Sequence, residues 1–143
     1  MCVCVYVCVY AHFRTNCAKL VSPNGCLFTY ALLCRFYCTV IESVLTFSIT
    51  VWYGNITNEE KDKLNRIVKM AEKIVGCALT PLQSIYETRM RGRSEKIIKD
   101  STHPANHIFE QLPSGRRYRS LTCRTNRFTN SFYPRAIRLV NQK

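Results

Sequence analysis

Apolar residues between positions 29 and 53 recur every three or four places, the spacing that places them on one face of an α-helix. The other face carries Arg35, Glu42 and several hydroxyl residues. The apolar stripe consists of Leu32, Leu33, Phe36, Tyr37, Val40, Ile41, Val44, Leu45, Ile49 and Trp52. The pattern therefore predicts one long helix over 29–53 that packs against a neighbour.

A second helix is predicted from about residue 58 to residue 75. Tyr53-Gly54-Asn55 interrupts the first pattern, and Thr57 with Glu60 forms a Thr-x-x-Glu capping box, whose side chains satisfy free backbone amides at a helix start. Gly76 follows the last apolar position, where a left-handed cap is favoured. The apolar face consists of Leu64, Ile67, Val68, Ala71, Ile74 and Val75.

A third helix is predicted after Thr80, which would cap it, and Pro81, which would occupy its first position. Gln83 is expected to reach back to the cap, and Gly92 lies in the middle, where it can divide the helix. The polar face is basic, with Arg89, Arg91, Arg93, Lys96 and Lys99. A charged face of this kind is more often solvated than a phosphate site.

Turn-forming residues appear at 101–104 and 112–115, and Pro134 can open a short final helix. The predicted fold class is mainly α, with three to four helices, a basic irregular C-terminal tail and a disordered or strand-like N-terminus. The predicted divisions are a leader over 1–25, a helical segment over 26–100 and an Arg/aromatic tail over 101–143.

The leader begins with alternating Cys, Val and Tyr, a tract that a TG dinucleotide repeat would encode. Cys2, Cys4, Cys8 and His12 form a C-x-C-x3-C-x3-H series, but structural zinc sites usually use C-x2-4-C pairs. We therefore expect no metal here, and we interpret residues 1–25 as translated repeat sequence. No cofactor is expected elsewhere, because the sequence has no glycine-rich loop after a strand to bind a nucleotide cofactor.

The charge of the chain favours anionic partners. It has 21 Lys and Arg against nine acidic residues, a net charge of +12, and no acidic residue follows position 110. Guanidinium groups and aromatic rings together suit phosphates and unstacked bases. The predicted RNA or DNA contacts, with no acidic neighbour to neutralise them, are Arg116, Arg117, Tyr118, Arg119, Arg124 and Arg127. The alternative is that the aromatic residues of this tail pack on its own helices.

A membrane span is the alternative for Cys26–Tyr53, which is long enough to cross a bilayer. Arg35 and Glu42 would each cost about 2–3 kcal/mol near its centre, so a membrane partner is not favoured. The opening residues lack the features of a secretory signal, and seven of nine cysteines precede position 39, so we expect free thiols. A nuclear or cytoplasmic location is predicted.

Several motifs occur in an order that resembles one protein family. They are Phe36 to Thr46, Val51 to Gly54, Asn65 to Val68, Ala71 to Gly76, Leu112 to Arg119 and Asn130 to Phe132. Together they resemble the region downstream of the polymerase domain in LINE-type, non-LTR retrotransposon reverse transcriptases. The resemblance covers about residues 28–141 and implies a helical piece whose missing packing partner is the polymerase core.

Phe36 to Gly54 also resembles a short segment catalogued as the N-terminal region of AlkB homologue eight. That label implies a 2-oxoglutarate-dependent oxygenase or a tRNA methyltransferase, but oxygenases of this type need a His-x-Asp pair on iron. His12, His103 and His107 have no Asp two places on. Two-metal polymerase chemistry needs several clustered carboxylates, whereas Asp62 and Asp100 are the only aspartates. Catalytic residues and a small-molecule substrate are therefore not expected.

The resemblance implies a fragment of a retrotransposon polyprotein, and the residues themselves predict no catalysis and at most nonspecific RNA or DNA binding through the tail. The alternatives are a non-functional translated relic, an AlkB homologue eight N-terminal-like protein without its catalytic motifs, and a single-pass membrane protein.

Overall fold

The computed structural model describes residues 27–142, with side chains from Leu32 onward, and is mainly helical, as predicted. The elements are α1 (Leu27–Phe36), a π-helical turn (Tyr37–Glu42), α2 (Ser43–Leu45), α3 (Ile49–Trp52), α4 (Asn58–Val75), α5 (Leu82–Lys99), a 3-10 turn (Asn106–Ile108), α6 (Asn126–Thr129) and α7 (Phe132–Asn141). The predicted leader and its Cys and His series lie outside the described residues.

The described residues form two compact units, each with its own core. Unit 1 contains residues 27–47 and 57–82, and unit 2 contains residues 48–56 and 83–142. The buried apolar residues of unit 1 are Leu33, Tyr37, Ile41, Leu45, Ile67, Val68, Ala71, Val75 and Leu82. Those of unit 2 are Ile49, Tyr53, Tyr86, Met90, Ile97, Ala105, Phe109, Ala136 and Ile137.

The first helical stretch of unit 1 buries every fourth residue, from Leu33 to Leu45. A regular α-helix has 3.6 residues per turn, so a strict four-residue repeat would drift by about a third of a turn over this length. The π-helical turn Tyr37–Glu42 accommodates the additional residue and keeps the repeat on one face. The hydroxyls of Thr39 and Ser43 donate to carbonyls four residues earlier, which also favours local distortion.

The prediction of one continuous helix over 29–53 is wrong. The helix stops at Leu45, and Ser48 adopts a left-handed conformation with φ 47° before α3 begins. A residue with a Cβ in this region costs about 1–2 kcal/mol. The apolar spacing continues through the break, so the spacing alone gives no sign that the backbone changes direction.

Part of the predicted apolar stripe is exposed rather than buried. Leu32, Val40 and Val44 are each more than a third exposed, and Phe47, which follows them, is 77% exposed. The stripe spans two adjacent rows of the helix, and only the row from Leu33 to Leu45 meets the core of unit 1. An exposed apolar row of this length is typical of a surface that binds another molecule.

Helix α4 is confirmed from its first residue to its cap. Thr57 and Glu60 form the predicted capping box, with the Thr57 amide 2.8 Å from a Glu60 carboxylate oxygen and the Glu60 amide 3.3 Å from Thr57 Oγ1. Gly76 adopts φ 72° and its amide donates to the Glu72 carbonyl. Both ends are encoded by adjacent residues, which is why the sequence predicts them well.

Thr57→Ala is expected to destabilise unit 1 by about 1 kcal/mol, because the Glu60 amide loses its acceptor at the helix start. Urea denaturation followed by circular dichroism measures this change. Lys63→Ala, at an exposed position inside the same helix, is the matched control and should leave the midpoint of urea denaturation nearly unchanged. Equal effects of the two substitutions would show that the capping box does not stabilise α4.

Helix α5 runs without interruption through Gly92, so the division considered there does not occur. The expected backward contact of Gln83 is also wrong, since its amide donates to the Glu87 carboxylate one turn ahead. On the basic face, Arg93 donates to Thr50 Oγ1 at 3.3 Å. At the C-terminal end, the Asn106 side chain donates to the carbonyls of residues 97 and 98, which have no partner within the last turn of the helix.

The tail is more ordered than an irregular segment. It contains the 3-10 turn, α6 and the ten-residue α7, which begins at Phe132, two residues before the predicted opening at Pro134. Gly54 contributes to the placement of α7, because the Arg135 guanidinium donates to the Gly54 carbonyl at 3.3 Å. The same guanidinium lies 5.7 Å from the centre of the Tyr86 ring. Unit 2 therefore joins residues that are 81 positions apart in sequence.

Candidate nucleic-acid interface

A short hairpin-like turn presents three of the predicted arginines. Gln111 and Tyr118 form an isolated antiparallel bridge, and the Leu112 amide donates to the Arg117 carbonyl at 2.8 Å. The Gly115 amide donates to the Leu112 carbonyl, and Gly115 adopts φ 66°, a conformation that favours glycine. Leu112-Pro113-Ser114-Gly115 thus forms the turn that its residue types predict.

Arg116 and Arg117 follow this turn, and both side chains are exposed. Arg119 is exposed as well, but its guanidinium lies 3.4 Å from the Glu110 carboxylate, and its amide donates to the Glu110 carbonyl at 2.8 Å. The expectation that no acidic side chain lies near these arginines is therefore wrong for Arg119. Because both side chains are about two-thirds exposed, this ion pair is weak and can exchange for a phosphate.

Tyr118 holds the turn against the rest of unit 2. The Asn141 side chain accepts from the Tyr118 amide at 2.8 Å and donates to the Tyr118 carbonyl at 3.0 Å. The half-buried Tyr118 ring contacts Phe109 edge to face, with centroids 6.2 Å apart. These contacts match the alternative in which an aromatic residue of the tail packs on its own fold.

Phe128 is the exposed aromatic residue among the four interleaved with the tail arginines, with 46% of its surface accessible. Tyr118, Phe132 and Tyr133 are partly covered, and the rings of Phe132 and Tyr133 contact each other at 5.2 Å. Phe128 is therefore the better candidate for stacking on a base. The sequence contains no signal that distinguishes it from the other three, because their burial depends on distant residues.

Arg124 and Arg127 flank the start of α6, and both are exposed. Thr125 caps this short helix, with its hydroxyl accepting from the Phe128 amide at 3.3 Å. Arg127 and Phe128 are consecutive in α6, so a cation and an exposed ring are adjacent in sequence. The structure thus distributes the predicted residues over two segments of unit 2: the turn after Gly115, and the beginning of α6.

Two tyrosines lie at the buried centre of unit 2. The ring centroids of Tyr53 and Tyr86 are 5.1 Å apart. Burial raises the pKa of Tyr86, and the nearby Arg135 partly offsets this effect. Burial also raises the pKa of Tyr53. The Tyr86 hydroxyl has no hydrogen-bond partner within the described part of the chain.

The comparisons with known proteins add no relative: no family model, no curated protein and no solved structure matches the chain. Across residues 27–142, no helix has both the length and the apolar character needed to cross a membrane. In the same part of the chain, no three His, Cys, Asp or Glu side chains form a group that could hold a metal ion.

Asn141→Ala is expected to release the turn, because two backbone groups of Tyr118 lose their partners at a cost of about 1–2 kcal/mol. Hydrogen exchange of the Tyr118 amide should become faster, while exchange in α4 stays unchanged. Gln142→Ala, an exposed neighbour, serves as the control. Unchanged protection of the Tyr118 amide in Asn141→Ala would contradict the anchoring of the turn by α7.

Proposed function

We propose that the chain is a non-catalytic, nonspecific RNA- and DNA-binding piece of a non-LTR retrotransposon polyprotein, and that unit 2 carries the binding. The single observation behind this proposal is the exposed cationic turn with Arg116, Arg117 and Arg119, held by the double hydrogen bond between Tyr118 and Asn141. A fixed backbone reduces the ordering that binding requires, and each guanidinium group can pair with a phosphate.

The structure also gives a physical context for two of the motifs that carry the family resemblance. Gly54 lies so close to Asn130 that a Cβ built on Gly54 would be 2.5 Å from the Asn130 carbonyl oxygen. The motif Val51 to Gly54 thus contacts the motif that begins at Asn130 within one unit. This supports the proposal that both motifs belong to one folded module.

The exposed row of Leu32, Val40, Val44 and Phe47 supports the related proposal that unit 1 packed against a larger partner, which by resemblance is the polymerase core. If that partner is lost, the same row explains the relic alternative. The two alternatives differ in one respect: a relic need not bind nucleic acid.

Titration of the full chain with fluorescently labelled single-stranded RNA tests the proposed binding. Because phosphate contacts carry no sequence information, two unrelated sequences of equal length should bind with affinities within about threefold of each other. Unlabelled DNA of the same length should compete for the site. A chain that does not bind at low salt, or that binds only one of the sequences, would contradict nonspecific binding.

A further inference from the structure

Three cysteines lie together in unit 1. Cys34 and Cys38 are one turn apart in the first helical stretch, and Cys77 follows Gly76 at the end of α4. The Sγ atoms of Cys34 and Cys77 are 4.0 Å apart, although the residues are 43 positions apart in sequence. Cys34 is half-buried, whereas Cys38 and Cys77 are exposed.

The backbone around Cys77 is held on both sides. Before it, the Gly76 amide donates to the Glu72 carbonyl, and after it, the Leu79 amide donates to the Glu72 carboxylate at 3.0 Å. Cys34 lies next to the buried Leu33, which anchors its helix in the same core. The proximity of the two thiols therefore follows from the packing of α1 against α4 and from the hydrogen bonds that hold the bend after α4.

We propose that Cys34 and Cys77 form a reversible disulfide when the protein meets hydrogen peroxide, which makes this pair an oxidant-responsive modification site. A disulfide requires the sulfurs to approach to about 2.05 Å, so the present separation must close by about 2 Å. This movement requires rotation about the side-chain bonds of the two cysteines. This inference concerns unit 1 and does not depend on nucleic-acid binding by unit 2.

The reaction proceeds in two steps that balance. The Cys77 thiolate attacks one oxygen of the peroxide, the O–O bond breaks, and a sulfenic acid forms at Cys77 with release of hydroxide. The Cys34 thiolate then attacks the Cys77 sulfur, the S–O bond breaks, and a second hydroxide leaves. With the two thiol protons, the products are the disulfide and two water molecules. Exposure of Cys77 gives the peroxide access to the first sulfur.

The local environment disfavours the thiolate form of Cys77. Desolvation and the hydrogen bond with Cys34 raise the pKa of Cys77, and desolvation and Glu42 raise the pKa of Cys38. Because only the thiolate reacts, raised pKa values slow the first step at neutral pH. Reduced thiol reagents reverse the bond by exchange.

Peptide mapping of the full chain tests the proposal. The reduced protein is treated with hydrogen peroxide, blocked with N-ethylmaleimide and digested with trypsin, which should yield a linked pair of peptides, 20–35 and 74–89. Cys26 lies in the first of these peptides, so the experiment uses a Cys26→Ser background. The linked pair should disappear after dithiothreitol treatment, and it should be absent from Cys34→Ser and from Cys77→Ser.

Cys38→Ser is the matched control, since it removes an exposed thiol from the same helix and should leave the linked pair intact. In this control, oxidation should also raise the melting temperature of unit 1 by about 10–30 °C, because the crosslink restricts the unfolded chain. Recovery of Cys77 as a blocked or over-oxidised thiol after treatment would overturn the proposal. So would crosslinking of Cys77 that persists in Cys34→Ser at the level of the parent.

Discussion

Gly54→Ala should destabilise unit 2 by about 3 kcal/mol, the largest effect that we expect from a single methyl group in this chain. The added Cβ would lie 2.5 Å from the Asn130 carbonyl oxygen, 3.2 Å from the Tyr86 hydroxyl and 3.4 Å from Arg135 Cδ. The first of these contacts is with backbone and cannot be relieved by a side-chain rotation. The segment before α7 must therefore move away, and the bond from Arg135 to the Gly54 carbonyl is lost with it.

The chain offers two controls for this prediction. Gly92 lies inside α5, and a Cβ added there would meet nothing within 4 Å, so Gly92→Ala should stabilise the helix by about 0.5–1 kcal/mol. Gly115 also has open space, but its φ of 66° makes Gly115→Ala costly by about 1–2 kcal/mol through the backbone alone. Urea denaturation of the three variants separates close contact, helix propensity and backbone strain. If Gly54→Ala is no less stable than Gly92→Ala, the close approach of Asn130 does not exist.

The sequence predicts α4 well and α1 to α3 poorly, and the reason is the distance over which each signal acts. The capping box and Gly76 are local, so adjacent residues determine both ends of α4. The break at Ser48 has no such marker, because serine is not a residue that usually adopts a left-handed conformation. The π-helical turn cannot be predicted from the sequence either, because its only sign is a four-residue repeat of buried positions among many other apolar residues.

The candidate interface shows the same limit. Pro113 and Gly115 indicate a turn in the sequence, and the arginines after it are exposed, as expected for charged residues. The contacts that give the turn its form come from outside it: Glu110 pairs with Arg119, and Asn141 holds Tyr118 from 23 positions away. A single sequence contains no information on these pairings, and the exposure of Phe128 cannot be predicted from it either.

Replacement of Arg116, Arg117 and Arg119 together by Ala should weaken RNA binding about 100-fold at about 0.1 M salt, because three phosphate contacts are lost. Arg119 must first leave Glu110, but that surface pair contributes at most about 1 kcal/mol and does not prevent the exchange. Weaker binding by this variant could also result from the loss of three positive charges at any position on the chain. Lys63, Arg66 and Lys69, exposed on α4, provide a matched triple Ala variant with the same change of three charges.

Stacking is tested separately by Phe128→Ala, which should cost about 1–3 kcal/mol of binding free energy if the ring stacks on a base. The salt dependence should stay unchanged, since no charge is removed. Tyr118→Ala is a different experiment, because its ring contacts Phe109 and its removal loosens the turn. A normal affinity of Phe128→Ala would restrict the interface to phosphate contacts.

The salt dependence of RNA binding by the parent chain and the two triple variants is the most direct test of the proposed function. In a plot of the logarithm of the association constant against the logarithm of salt concentration, each phosphate contact contributes a slope of about −0.7. We expect the variant of Arg116, Arg117 and Arg119 to lose about two units of that slope, and the α4 variant to keep nearly all of it. Equal slopes for the parent chain and the first variant, or equal losses in both variants, would contradict a nucleic-acid interface at the turn of unit 2.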